Sequence, residues 1–206
     1  MKKYELTSET KTWFGRTLFR IRAVAGFGVV VEGELGGFIE SEKNLSQDGQ
    51  AWVCGEAQVC GEARVYGEAQ VYGEARVYGQ ARVCGEAQVC GEARVCGEAQ
   101  VYGQARVYGE AQVCGEARVY GEARVSAPKD HISISPIGSE GGVFTAFRTE
   151  AGIECSRGCF HGTLDEFEEA VKETHGENRY AQEYAQVIAL VRLRMDTEKA
   201  AFGPNQ

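Results

Sequence analysis

The sequence predicts a mainly β chain organised around a solenoid of very short strands wound into a triangular prism. A β cap precedes the prism and a small α+β domain follows it. Three observations predict this. Alanine recurs at every sixth position from Ala51 to Ala123, and a valine stands two places after each alanine. The composition is glycine-rich and proline-poor, with 27 Gly against 3 Pro. Finally, the repeat stops at Pro128, after which the pattern changes to alternating strands and then amphipathic helices.

The repeating unit is A-x-V-(C/Y)-G-(E/Q). Six is a multiple of two, so in a strand the alanine and valine of every unit face one side, and the Arg/Gln and Cys/Tyr positions face the other. The glycine permits a sharp corner, with Glu or Gln exposed beside it. Strand, corner, strand, repeated, winds into a solenoid whose Ala/Val sides meet in the middle, and three such sides close a prism.

Over residues 51–125 this pattern resembles the hexapeptide-repeat superfamily. The resemblance implies a left-handed parallel β-helix of three hexads per coil, with an aliphatic and a small residue pointing inward, and a homotrimer with parallel axes. Twelve full hexads from 51 to 122 make four coils, about 19 Å tall at a strand spacing of about 4.8 Å. Upstream, Ile39, Leu45 and Ala51 fall on the same hexad grid, which predicts one earlier coil.

The flanks read as covers for the open ends of the solenoid, whose unpaired strand edges would otherwise template fibres. Residues 1–32 form the N-terminal β cap, in which TLFRIRAV alternates with period two, and residues 33–127 form the β-helix. The lead-in GELGGFIE and NLSQDGQAWV resembles uncharacterised hexapeptide-repeat proteins of bacteria and bacteriophages. Residues 128–206 predict a βββαα domain, its strands being HISISPIG, GVFTAFRT and IECSRGCF. The first helix, TLDEFEEAVKETHG, starts at a Thr163/Glu166 capping box and is closed by Gly176. The second starts at Asn178 and aligns Tyr180, Tyr184, Ile188, Val191 and Met195 on one stripe. The end, AAFGPNQ, reads as a frayed tail.

Composition narrows the function. The net charge is −8 and no third of the chain is basic, which excludes a nucleic-acid duplex as partner. No apolar run is long enough to cross a membrane and none follows the opening lysines, so neither membrane span nor signal peptide is expected and the chain is placed in the cytoplasm. There its eight cysteines should be thiols. Those in the repeat are separated by multiples of six, with no histidine between 51 and 125, so no zinc pattern is present and no metal or cofactor is expected.

Catalytic motifs are sparse. No G-x-S-x-G occurs, and GSEGG at 138–142 lacks phosphate-loop spacing and reads as a hairpin turn. Many hexapeptide-repeat proteins are acyltransferases that use a histidine base, and His131, just past the last coil, is the candidate for that role with acetyl-CoA. His161 reads as a turn residue and His175 as a cation favoured at a helix C-terminus.

On the prism, the outward Cys/Tyr positions of every third hexad stack in one column. The first face carries Cys54, Tyr72, Cys90 and Tyr108, the second Cys60, Tyr78, Cys96 and Cys114, and the third Tyr66, Cys84, Tyr102 and Tyr120. Such ladders suit a subunit interface. The third face also carries Arg64, Arg82, Gln100 and Arg118, the densest mixture of guanidinium and aromatic groups in the chain. Arginine clamps phosphate and an aromatic ring stacks a base, so Arg64, Tyr66, Arg82, Tyr102, Arg118 and Tyr120 are candidate contacts for a small phosphorylated, nucleotide-like ligand. His131, Arg148 and Arg157 could add phosphate contacts. The simpler alternative is Arg/Glu pairing along a solvated surface. The expectation is a non-catalytic homotrimeric binding protein that sequesters a nucleotide-type immune signal at inter-subunit clefts, encoded by a bacteriophage. The acyltransferase and a purely structural trimerisation module are the alternatives.

Overall fold

The computed structural model describes residues 2–195, so the AAFGPNQ segment lies outside the described residues. Thirteen two-residue strands, one per hexad, run parallel and form three faces. The first face holds β4 (Trp52–Val53), β7 (Gln70–Val71), β10 (Gln88–Val89), β13 (Arg106–Val107) and β16 (Arg124–Val125). On the second lie β5 (Gln58–Val59), β8 (Arg76–Val77), β11 (Arg94–Val95) and β14 (Gln112–Val113). The third has β6 (Arg64–Val65), β9 (Arg82–Val83), β12 (Gln100–Val101) and β15 (Arg118–Val119). Residues one coil apart pair in register, Val71 with Val89 and Val89 with Val107. Every alanine and valine of the repeat is buried, and together they form one continuous core.

The earlier coil exists, but the hexad grid does not carry into it. Trp52 pairs with Gln70, three hexads on, as the repeat requires. Ile39 instead pairs with Val59, and Leu45 bridges to Val65, each two positions further than three hexads. Ile39 and Leu45 therefore occupy valine positions, while Ala51 is an alanine position. The extra chain is taken up in the loop between Leu45 and Trp52. Counting apolar recurrences alone misses this, because Ala51 is apolar either way. Buried Asn44 holds the widened coil: its Nδ2 donates to Gly61 O and Ala63 O, both at 2.9 Å.

Strands β1 (Tyr4–Trp13), β2 (Arg16–Ala23) and β3 (Leu35–Ile39) continue the second face. β1 and β2 form an antiparallel hairpin, β2 pairs antiparallel to β3, and β3 pairs parallel to β5. Trp13 reaches along this face to Tyr78, with ring centroids 5.1 Å apart. Under it Leu18, Phe38 and Cys60 make a small buried cluster on the outside of the sheet.

Beyond the prism lie β17 (His131–Ile137), β18 (Gly142–Arg148), β19 (Ile153–Arg157), β20 (Phe160–Thr163), α1 (Leu164–His175) and α2 (Arg179–Arg194). The segment expected as one strand, IECSRGCF, is two. Arg157 pairs with Phe160 across a tight turn in which Gly158 takes φ +59°, so the sheet has four antiparallel strands. Both helix starts form as the sequence indicates. Glu166 N–H donates to Thr163 Oγ1 at 3.2 Å while Thr163 N–H donates to Glu166 Oε2 at 2.8 Å, and Asn178 Oδ1 accepts from Tyr180 N–H at 2.8 Å. β18 serves two cores by strand alternation. Phe144 and Ala146 face the helices, whereas Phe147 joins the prism core and Thr145 Oγ1 accepts from Arg118 N–H at 3.3 Å.

The cysteines depart from expectation at one place. Cys96 and Cys114 are joined as a disulfide, their Cα atoms 4.6 Å apart. The cause is the stacking itself. In-register coils put equivalent Cα atoms within disulfide range, and elsewhere in the repeat a tyrosine separates cysteines on the same column. Thiol titration of the denatured, unreduced protein should count six groups, rising to eight after reduction. Cys96→Ser should cost about 3 kcal/mol, the value for closing a loop of this length, in urea unfolding.

The corners demand glycine. Gly97 sits at φ +68°, and a Cβ there would meet Gly115 N and O of the next coil at 2.9 Å. Gly115, at φ +71°, has open space around the same position. Gly115→Ala should therefore cost only the left-handed backbone term, about 1–2 kcal/mol. Gly97→Ala should cost about 1–3 kcal/mol more, as read by calorimetric unfolding of the two variants.

Candidate functional site

On the third face the columns run as the repeat dictates. Arg64 lies beside Arg82 as in-register partners, and Gln100 beside Arg118. Among the described residues, none of Arg64, Arg82 and Arg118 makes a side-chain ion pair. Pairing with corner glutamates does not account for them.

Within the aromatic column, Tyr102 and Tyr120 stack, with ring centroids 5.5 Å apart and planes 21° from parallel. Tyr120 is committed to holding the C-terminal domain. Its hydroxyl donates to Cys155 O at 3.1 Å, and its ring meets Phe147 and His161 edge-on. Burial pushes its pKa up. Tyr66, at the other end of the column, is 39% exposed, and its interaction with the Cys84 thiol, then burial, raises its pKa.

At that end the wide earlier coil leaves a recess of about 380 Å³ over the third face. Glu42, Lys43, Ser46, Gln47, Arg64 and Tyr66 line it. Several of these are already engaged. Gln47 accepts from Lys3 N–H at 2.8 Å, Ser46 Oγ accepts from Asp48 N–H at 3.1 Å, and Glu42 pairs with Lys2 at 2.8 Å. The open groups are the Lys43 ammonium, the Arg64 guanidinium and the Tyr66 ring. Residue-by-residue reading of the repeat does not find Lys43. The signal for it is the break in period between Leu45 and Val53, the one place where the coil length changes.

The remaining candidates lie elsewhere. Arg148 pairs with Asp130 at 2.9 Å and is hydrogen-bonded to Met195 O, so it fastens the junction of prism and C-terminal domain. Asp130 Oδ2 also accepts from Ser126 N–H and Ala127 N–H at 3.1 and 3.0 Å. Arg157 donates through Nη2 to Ile137 O at 2.9 Å. His131 is only 8% exposed, with Nε2 buried and unpartnered. The structure thus groups Arg64 and Tyr66, with Arg82 next in the column, at the start of the prism. It sets Tyr102, Arg118 and Tyr120 toward its end, with Tyr120 about 14 Å from Tyr66 by strand spacing. His131, Arg148 and Arg157 lie in the C-terminal domain.

A second groove of about 380 Å³ on the first face is lined by Glu68, Glu86 and Glu122 together with Arg106 and Arg124, so its charge is mixed. Burial pushes the Cys60 and Cys155 thiols up to about 11 and about 12, opposite to the activation of a nucleophile. Among the described residues no three His, Cys, Asp or Glu side chains are grouped to hold a metal ion, and no helix is long and apolar enough to cross a membrane.

Thirteen in-register strands on a hexad repeat define a hexapeptide-repeat-like parallel β-solenoid. Within it, residues 69–85, 99–115 and 111–127 match the family model described as YdcK Beta solenoid repeat. No curated protein matches the chain.

The buried histidine sets a pH dependence. Burial, and then the nearby Arg194 charge, pull the His131 pKa from 6.5 down to about 4. The unfolded chain therefore takes up this proton first as pH falls. Stability should be full above about pH 6.5 and fall between about 6.5 and 4, by up to about 3 kcal/mol. His131→Leu should remove that part of the slope in urea unfolding measured across this range.

Proposed function

We propose that the protein is a non-catalytic binding protein whose third face takes a small phosphorylated, ring-bearing ligand at the recess lined by Lys43, Arg64 and Tyr66. The carrying observation is that the Arg64–Arg82 pair, unlike the equally stacked Arg76–Arg94 pair of the second face, ends at a recess that adds Lys43 and Tyr66. Arg64 and Arg82 repel each other at one-coil spacing with no carboxylate between them. A bridging phosphate would relieve that repulsion and accept charge-assisted hydrogen bonds from both. Lys43 would add a third cation from the rim, and the exposed Tyr66 ring offers a surface for a base.

The finer reading has copies of the prism associating through their flat faces as a homotrimer, with the ligand at the clefts between them. The ligand would be a nucleotide-type signal held without being cleaved, the task of a bacteriophage-encoded sponge. Retention without turnover fits the side chains in the recess, whose carboxylate, Glu42, is paired with Lys2. Acyl transfer through His131 is disfavoured because a general base must reach the proton it removes, and this imidazole is buried and held neutral.

Native mass spectrometry of gently purified protein should give a mass of three chains with a co-purified nucleotide. Calorimetric titration with cyclic nucleotides and ADP-ribose should then show Arg64→Ala weakening binding about tenfold or more, the loss of one charged hydrogen bond. Lys43→Ala should weaken it less. A bare trimer with no heat of binding would favour the structural module, and bound coenzyme A the acyltransferase.

A further inference from the structure

We infer that the C-terminal domain holds a second, independent site: a pocket for a small aromatic carboxylate, with Arg157 as its cationic floor. The cleft encloses about 190 Å³ between β19, β20 and the two helices. Its walls are Phe160, Phe167, Val171, His175 and Tyr184. Their rings form a connected set. Phe160 and Phe167 are 5.1 Å apart, Phe167 meets Tyr184 at a right angle at 5.4 Å, and His175 stacks on Tyr184 at 5.7 Å. A cavity of about 150 Å³ lined by apolar side chains admits benzene, so this volume suits one aromatic ring with a small substituent.

Arg157 decides the substituent. Its guanidinium is partly buried and makes no ion pair among the described residues. Nη2 is used on Ile137 O, while Nε is buried with no partner. Glu183, close by, spends its carboxylate on Gly138 N–H at 3.1 Å. Space for the guanidinium is kept by Gly142, where a Cβ would lie 2.5 Å from Nη1 and 2.8 Å from Cζ. A half-buried cation with an unpartnered donor and no ion-pair partner gains from an anion that completes it. A carboxylate has the planar fork that arginine matches, and the ring it carries would face the aromatic walls.

This site is separate from the recess at Arg64, and its test uses the full chain with benzoate as probe and benzamide as its uncharged counterpart. Binding is followed by the shifts of the His175 imidazole protons in NMR titration. Benzoate should bind at least about tenfold more tightly than benzamide, as one charge-assisted contact implies. Arg157→Gln should erase that ratio. Ala170→Leu, which fills the cleft and leaves Arg157 in place, should weaken both probes, and Arg64→Ala should change neither. Should Arg157→Gln fail to fold, the ratio in the parent and the Ala170→Leu variant still decide. Equal affinity for the two probes, or no shift of His175 with about 10 mM benzoate, would overturn the site.

Discussion

Each coil of the prism donates its backbone N–H groups to the carbonyls of the next, as in Arg76 N–H to Ala93 O and Arg94 N–H to Ala111 O, both at 2.9 Å. Each parallel strand pair also returns one bond to the preceding coil, but the corner and strand-flanking bonds run forward, so the stack is biased in one direction. Its first coil is left mostly with carbonyls and its last mostly with N–H groups, somewhat as a helix leaves opposite groups at its two ends. The flanking segments answer this asymmetry with the matching chemistry. At the start Lys3 Nζ donates to Ala51 O and the Tyr4 hydroxyl to Leu45 O, at 2.8 and 2.7 Å. At the end the acceptors are Thr145 Oγ1 and the Asp130 carboxylate. Burial of Lys3 pulls its pKa down to about 8, so this ammonium is held in place against desolvation by the carbonyl it satisfies.

In-register stacking also explains the outer surface. A residue meets its own equivalent one coil away, so the chemistry of each column depends on which types succeed one another. Cysteine over cysteine occurs once and gives the Cys96–Cys114 disulfide. Tyrosine over tyrosine gives the Tyr102–Tyr120 stack. Arginine stands over arginine three times, at Arg64–Arg82, Arg76–Arg94 and Arg106–Arg124, and of these the Arg64–Arg82 pair ends at the recess beside Lys43. Cross-strand neighbours of like charge destabilise a sheet, so the Arg64–Arg82 pair is not explained by the needs of the fold.

Periodicity made most of this legible. Inward Ala and Val, the three faces and both helix caps follow from residues two, six and three or four apart, separations over which backbone geometry is fixed locally. What escaped was of two kinds. The widened first coil hides behind Ala51, which satisfies an apolar grid in either register, and with it went Lys43. The disulfide, the double-faced β18 and the split of IECSRGCF at Gly158 depend on partners that arrive from elsewhere in the chain. In the same way, a free Arg157 and a committed Arg148 look alike in sequence. They differ because Asp130 pairs with Arg148, whereas among the described residues no carboxylate pairs with Arg157.

The caps also constrain how copies can meet. End-to-end stacking would need the open carbonyls of one prism to find the N–H groups of another, and Lys3, Tyr4, Thr145 and Asp130 already occupy several of those groups. β14 remains an edge of the second face, but it spans only Gln112–Val113, too short to template a fibre. The second face is further obstructed by the hairpin, where Trp13 lies against Tyr78. The first and third faces are the sides of the prism that these elements leave open. Charge does not set these two faces apart, since Glu68, Glu86 and Glu122 stand at the corner they share and each bears arginines, Arg106 and Arg124 on the first and Arg64, Arg82 and Arg118 on the third, and a contact between them would be heterologous. A heterologous contact of that kind closes into a ring only at a suitable rotation.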